Sequence, residues 1–242
     1  MDDRPLPELG APFDQALIEA LAFLDTLPET VVGVWLAGSV SRGESDVNSD
    51  LDLYVLVDAP HRRRLSRRFN GVPTEMFLNP PHRARRYFDE DRATGRRPSL
   101  DMMAYGLILF DPVGTCAAIA AEAREVIAEG PKIDPVGLET RRYLATDKLD
   151  NAFDVVVRDP ATARVLAAVA VHEAMILAFL RDDRWAPRDK DLLPELRALA
   201  PEAAALIDQF HVTGDLETAG AAVELLTGRR GFYEWETPPE PV

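Results

Sequence analysis

Asp50 and Asp52 stand at alternate positions where an apolar run opens, ten residues after a Gly38-Ser39 pair, within VVGVWLAGSVSRGESDVNSDLDLYVLVD. On a β-strand, side chains at i and i+2 point the same way, so these carboxylates would converge on one point against their mutual repulsion. A divalent cation removes that cost, and Mg²⁺ characteristically takes one or two carboxylates together with phosphate oxygens. A Gly-Ser turn just before them suits the other half of such a site. Its backbone N–H groups can approach phosphate oxygens and the Ser39 hydroxyl adds a donor, whereas a side chain at Gly38 would hold the phosphate away. Arg42 and Ser49 are candidates for further phosphate contacts, with ordinary loop hydrogen bonding as the alternative.

A third carboxylate follows at Glu75, in Val-Pro-Thr-Glu-Met-Phe-Leu. Among strand-like residues an unpaired charge is costly, which implies a partner. The competing reading is a solvent-facing residue on an edge strand.

The elements that must position these groups read as follows. Helical spacing over 13–27 stops at Pro28, and apolar runs over 31–37, 51–57 and 72–78 predict strands. The stretch HRRRLSRRF between the last two predicts a basic, mostly solvated helix. Residues 81–97 predict helix plus loop, and 102–110 is another apolar segment ending at Asp111-Pro112. From about Gly114 onward the period is helical, broken at Gly130-Pro131, Asp159-Pro160, 185–187, Pro201 and Gly214. Strands give way to helices, so the expected class is α+β: a small mixed-sheet domain over 1–130, then a helical bundle over 131–242. The closing TPPEPV, with three prolines, is expected to be loose.

Taken together, Gly38-Ser39, the spacer with Ser41-Arg42-Gly43-Glu44 and Ser49, Asp50-x-Asp52 and the later acidic strand resemble the nucleotidyltransferase superfamily, which includes DNA polymerase β and the antibiotic nucleotidyltransferases. Tyr105-Gly-Leu-Ile-Leu-Phe-Asp-Pro-Val-Gly114 is similar to the segment that ends the catalytic domain in small bacterial members. Trp185-Ala-Pro-Arg-Asp-Lys190 and Gly231-Phe-Tyr-Glu-Trp235 resemble the helical domain of those acting on aminoglycosides and lincosamides. The resemblance implies transfer of a nucleoside monophosphate, AMP from ATP, to a hydroxyl of a small acceptor, with release of pyrophosphate. Asp50 and Asp52 would hold two Mg²⁺, and Glu75 would be a further metal ligand or the base for the acceptor hydroxyl. The acceptor is expected between the two domains. Some relatives share a site across a homodimer, and the alanine-rich bundle would suit either that or a monomer's core. Two alternatives stay open: transfer to a protein or RNA end, and a non-catalytic nucleotide-binding regulator.

Signals in the second half are weaker. Lys190, one of three lysines beside 24 arginines, follows a Trp-Pro loop at the start of a predicted helix, where it could meet triphosphate oxygens as a point charge or simply be exposed. Asp147, Asp150 and Asp154 form one acidic helical stripe, open to an aminated substrate or to solvent. His172-Glu173 lacks the second histidine of a zinc helix, and no Gly-x-x-x-x-Gly-Lys or Gly-x-Gly-x-x-Gly occurs. A net charge of −14, spread along the chain, argues against a general nucleic-acid binder. The single Cys116 permits no internal disulfide, fits a reducing cytoplasm and reads as core packing, as do Trp35 and Trp185. The acidic start MDDRPLPELG does not read as a signal peptide, and the apolar pieces 165–171 and 174–180, split by His172-Glu173, fall short of a membrane span.

Overall fold

The computed structural model describes residues 6–236 of the 242, which leaves TPPEPV outside the described residues. Two compact units emerge: residues 1–91 with 97–129, and residues 92–96 with 130–242.

The first unit is built on one mixed sheet. Helix α1 (Phe13–Leu24) leads into strand β1 (Thr30–Ala37), a single helical turn α2 (Gly38–Ser41), then β2 (Leu51–Asp58), β3 (Arg63–Phe69) and β4 (Val72–Asn79). Helices α3 (Pro81–Thr94) and α4 (Pro98–Tyr105), strand β5 (Leu107–Phe110) and helix α5 (Thr115–Glu129) follow. The spatial order is β3-β4-β2-β1-β5, antiparallel throughout except for β2 and β4, which run parallel.

Strand periodicity sorts the side chains onto two faces. Leu51, Leu53, Val55 and Val57 of β2 pack with Phe13, Ala16, Leu17, Ala20 and Leu24 of α1 in one buried cluster. The alternate residues of β2 begin with Asp52 and continue with the buried Tyr54 and Leu56. Trp35 is fully buried and meets Tyr54 edge-on, with ring centroids 5.8 Å apart, so its reading as packing holds. Cys116 is also fully buried and free of any disulfide.

One expected element is different in kind. The basic stretch forms strand β3 instead of a helix, because Asn70-Gly71 turns the chain into a hairpin that pairs β3 antiparallel to β4 from Phe69↔Val72 to Arg63↔Leu78. Both turn residues have positive φ, 44° and 80°, the geometry that Asn-Gly favours and that matches strand twist. Nor are the arginines merely solvated. Arg62 donates to the Tyr87 hydroxyl at 2.6 Å, Arg63 to Glu29 at 2.7 Å and Arg68 to the Gly71 carbonyl at 2.9 Å, while Arg67 lies over the Phe23 ring. A charged edge strand also discourages pairing with other chains.

The second unit is helical: α6 (Pro135–Val155), α7 (Pro160–Arg181), α8 (Asp189–Leu199), α9 (Pro201–Thr213) and α10 (Leu216–Thr227). Asp134, Asp159 and Asp215 cap α6, α7 and α10 by accepting from first-turn N–H groups, and proline occupies the first turn of α6, α7 and α9. Small residues of α7, Ala163, Ala167, Ala170 and Ala174, let its neighbours approach closely. By length and composition α7 could cross a membrane, yet 61% of its apolar window is buried within the fold, as in the core helix of a bundle.

Candidate active site

Three acidic groups meet at one end of the sheet. Asp52 is the second residue of β2 and Glu75 its partner in the parallel register with β4, so the two lie side by side on the same face. Asp50 precedes β2 by one residue. One oxygen from each of Asp50, Asp52 and Glu75 lies within 4.8 Å of the other two, and all three residues are half-buried.

The end of β1 completes the arrangement. Ala37 pairs with Asp52, which brings the chain turning at Gly38 against the same carboxylate. Gly38 has φ +76°, and a Cβ there would overlap Oδ2 of Asp52, so glycine is required both by backbone conformation and by the close approach of the carboxylate. The spacer is internally tied: Ser39 Oγ donates to Ser49 Oγ at 3.2 Å, Ser49 Oγ accepts from the Asp46 N–H at 2.8 Å, and Ser41 Oγ donates to the Gly38 carbonyl at 2.9 Å. Ser49 thus hydrogen-bonds within the loop. Arg42 is exposed and donates to Glu44 at 2.8 Å.

Residues 16–94 match the family described as "Nucleotidyltransferase domain". This segment is similar to nucleotidyltransferase domains. No curated protein matches the chain. Among solved structures, a nucleotidyltransferase-like protein from Exiguobacterium sibiricum 255-15 is similar in fold, with a TM-score of 0.54 at 14% identity, covering 89% of this chain and 74% of its own.

Within this segment, electrostatics focus on Asp52. Burial, then the neighbouring Asp50 and Glu75 carboxylates, push its pKa from the ordinary 3.8 up to about 6, against the pull of Arg64 and Arg42. A chain that gathers like charges at such a cost holds a cation-shaped potential. The donor set is all carboxylate oxygen, which suits hard divalent cations such as Mg²⁺ or Mn²⁺. The residues present therefore fit a hard divalent cation.

A fourth side chain joins the carboxylates, one that sequence reading missed. Arg64 of β3 ion-pairs with Oε2 of Glu75, and its guanidinium lies 4.7 Å from the centroid of the Phe77 ring. Reading the basic stretch as a helix hid this. The Asn70-Gly71 hairpin signal, which fixes Ser66 opposite Glu75 and Arg64 opposite Phe77, could have revealed it.

The remaining candidates lie in the helical unit. Lys190 is the second residue of α8 and exposed. Its neighbour Asp189 pairs with Arg96 at 2.7 Å and His172 at 3.1 Å. Of the acidic stripe on α6, Asp147 and Asp150 are half-buried and Asp154 exposed. Trp235 packs on Tyr143 with ring centroids 5.2 Å apart, and Tyr233 meets Tyr143 at 6.5 Å.

Proposed function

We propose that the protein transfers AMP from ATP to a hydroxyl of a small acceptor and releases pyrophosphate. The observation that carries this reading is the meeting of Asp50, Asp52 and Glu75 within 4.8 Å of one another, in a segment similar to nucleotidyltransferase domains. In the reaction the acceptor oxygen attacks the α-phosphorus, the bond from that phosphorus to the bridging oxygen breaks, and pyrophosphate leaves. The acceptor's proton passes to a base.

Asp50, Asp52 and Glu75 would hold Mg²⁺ between them. The chemistry that a divalent cation supplies when bound there is neutralisation of phosphate charge and stabilisation of the attacking and leaving oxygens. The contributions of the chain itself are positional. The strand pairing of β2 with β4 sets the spacing of Asp52 and Glu75, and Gly38 keeps the turn after β1 close against Asp52. Ser39, held through Ser49 to the spacer, presents a hydroxyl and backbone N–H groups toward phosphate, and Arg42 is a cation available to the triphosphate tail. Glu75 is the carboxylate placed to ligate the cation or to take the acceptor's proton.

An aminoglycoside or lincosamide is the acceptor class proposed, supported by the resemblance of Trp185 to Lys190 and of Gly231 to Trp235 and by the acidic charge of −14, which favours an aminated substrate. A single cysteine, Cys116, which permits no internal disulfide, supports a reducing, cytoplasmic setting. The test is incubation with labelled ATP, Mg²⁺ and a panel of aminoglycosides and lincosamides. An acceptor whose mass grows by one adenylyl group supports the proposal. Label on protein or RNA instead moves the activity to a macromolecular acceptor, and ATP binding with no transfer to anything ends the enzymatic reading.

A further inference from the structure

The acidic cluster carries its own counter-cation. Arg64 reaches Glu75 from the neighbouring strand, while its guanidinium rests over Phe77, its register partner on β4. Its side chain is 58% exposed against 29% for Glu75, so it has room to leave, whereas the carboxylate does not. Other arginines of the same strand are committed elsewhere: Arg63 to Glu29, Arg67 to the face of Phe23, Arg68 to the Gly71 carbonyl. Among the described ion pairs of these three acidic groups, Arg64 with Glu75 is the one that forms.

We infer that Arg64 is a positioning residue that acts through Glu75 as a placeholder for the metal: it neutralises Glu75 while the site lacks a divalent cation and competes with that cation for the carboxylate. The physical argument is a sum of charges. Without Arg64, three carboxylates within 4.8 Å face one another with less compensation, which destabilises the metal-free site and raises its affinity for a divalent ion. With Arg64 present, the metal must displace a charge-assisted hydrogen bond to gain Glu75. Anionic phosphates arriving with the metal would give the released guanidinium a new partner, so nucleotide and metal would bind more tightly together than apart. This rests on the acidic cluster being a metal site, and it adds that the chain lowers the site's affinity for metal alone.

The test uses Mn²⁺ alone, with no nucleotide, titrated into the full chain while free Mn²⁺ is followed by its electron paramagnetic resonance signal. Arg64→Gln should bind Mn²⁺ about tenfold more tightly than the parent, given the strength of a half-exposed ion pair. Arg67→Gln removes the same charge from the same strand but from the Phe23 contact, and should change affinity by no more than about twofold. Thermal melts show that each variant folds. An Arg64→Gln affinity that is unchanged, weaker or matched by Arg67→Gln overturns the inference, since a residue that merely organises Glu75 would weaken binding when lost. Asp52→Asn separates the two levels of the argument. If the parent binds Mn²⁺ and Asp52→Asn does not, the metal site stands and the Arg64 result decides alone; if the parent binds no Mn²⁺, both the metal site and the placeholder role fall.

Discussion

Replacing Asp52 by Asn should make the metal-free protein more stable at neutral pH while destroying its response to Mg²⁺. In the folded chain the Asp52 carboxyl titrates at about 6 instead of 3.8, because burial and the adjacent Asp50 and Glu75 disfavour its charge. At 1.36 kcal/mol for each tenfold change, this difference amounts to about 3 kcal/mol against the folded state once the group is ionised. The sign follows from proton binding. The native state holds this proton more tightly than the unfolded chain, so the wild-type contribution is most favourable below about pH 4, declines as pH rises toward 6, and stays low above it. Asn removes the charge but keeps a polar group to desolvate, which leaves a net gain of about 1–2 kcal/mol at pH 8. At about 2–4 °C per kcal/mol, the variant should melt roughly 2–8 °C higher than wild type in EDTA at pH 8. That advantage should vanish near pH 4, where both side chains are neutral. Asp91, buried and raised to about 7, follows the same sign in both proteins and cancels from the comparison. With Mg²⁺ at 100 times its dissociation constant the wild type gains about 2.7 kcal/mol and the order reverses. Melting curves in EDTA and in Mg²⁺ across pH 4–8 check all of this. An Asp52→Asn protein less stable than wild type in EDTA at pH 8, or an advantage that persists undiminished at pH 4, would refute the charge-repulsion account.

Other outcomes follow from the same geometry. Glu75→Gln should lower AMP transfer by at least about 100-fold while leaving far-ultraviolet circular dichroism unchanged, whether the lost group is ligand or base. Gly38→Ala combines a left-handed backbone with overlap on Asp52 Oδ2, so urea melts should show a loss of about 2 kcal/mol or more. Gly71→Val puts a β-branched residue at φ 80° in the β3–β4 turn, for a loss of about 1–2 kcal/mol and with it a weakened hold on Arg64, read from melting and from Mn²⁺ titration. Asp215→Ala removes the acceptor for the Thr218 N–H at 3.1 Å at the start of α10, and should lower stability by about 1 kcal/mol in a urea titration with no effect on Mn²⁺ affinity.

Much of the fold was legible because its signals are local. Apolar runs gave β1, β2 and β4, prolines and glycines placed the breaks among α6 to α10, and the alternation of Asp50 and Asp52 is a local property of the chain where β2 begins. The basic stretch was misread for a local reason too. Arginine is a good helix former, and the outcome depended on Asn70-Gly71 closing a hairpin and on β4 offering an edge to pair with.

The amino-acid sequence by itself determined which groups could do chemistry: three carboxylates, a glycine-serine turn and the strand whose start brings Asp50 and Asp52 to one end of a sheet. Tertiary structure alone decided that Glu75 stands beside Asp52, since that neighbourhood comes from the parallel register of strands separated by a hairpin, and register is a property of pairing across space. It likewise decided that Gly38 is needed by Asp52 itself, and that an arginine from the edge strand answers the third carboxylate. Composition can count charges, but only the packing of strand against strand fixes the few ångströms over which those charges act.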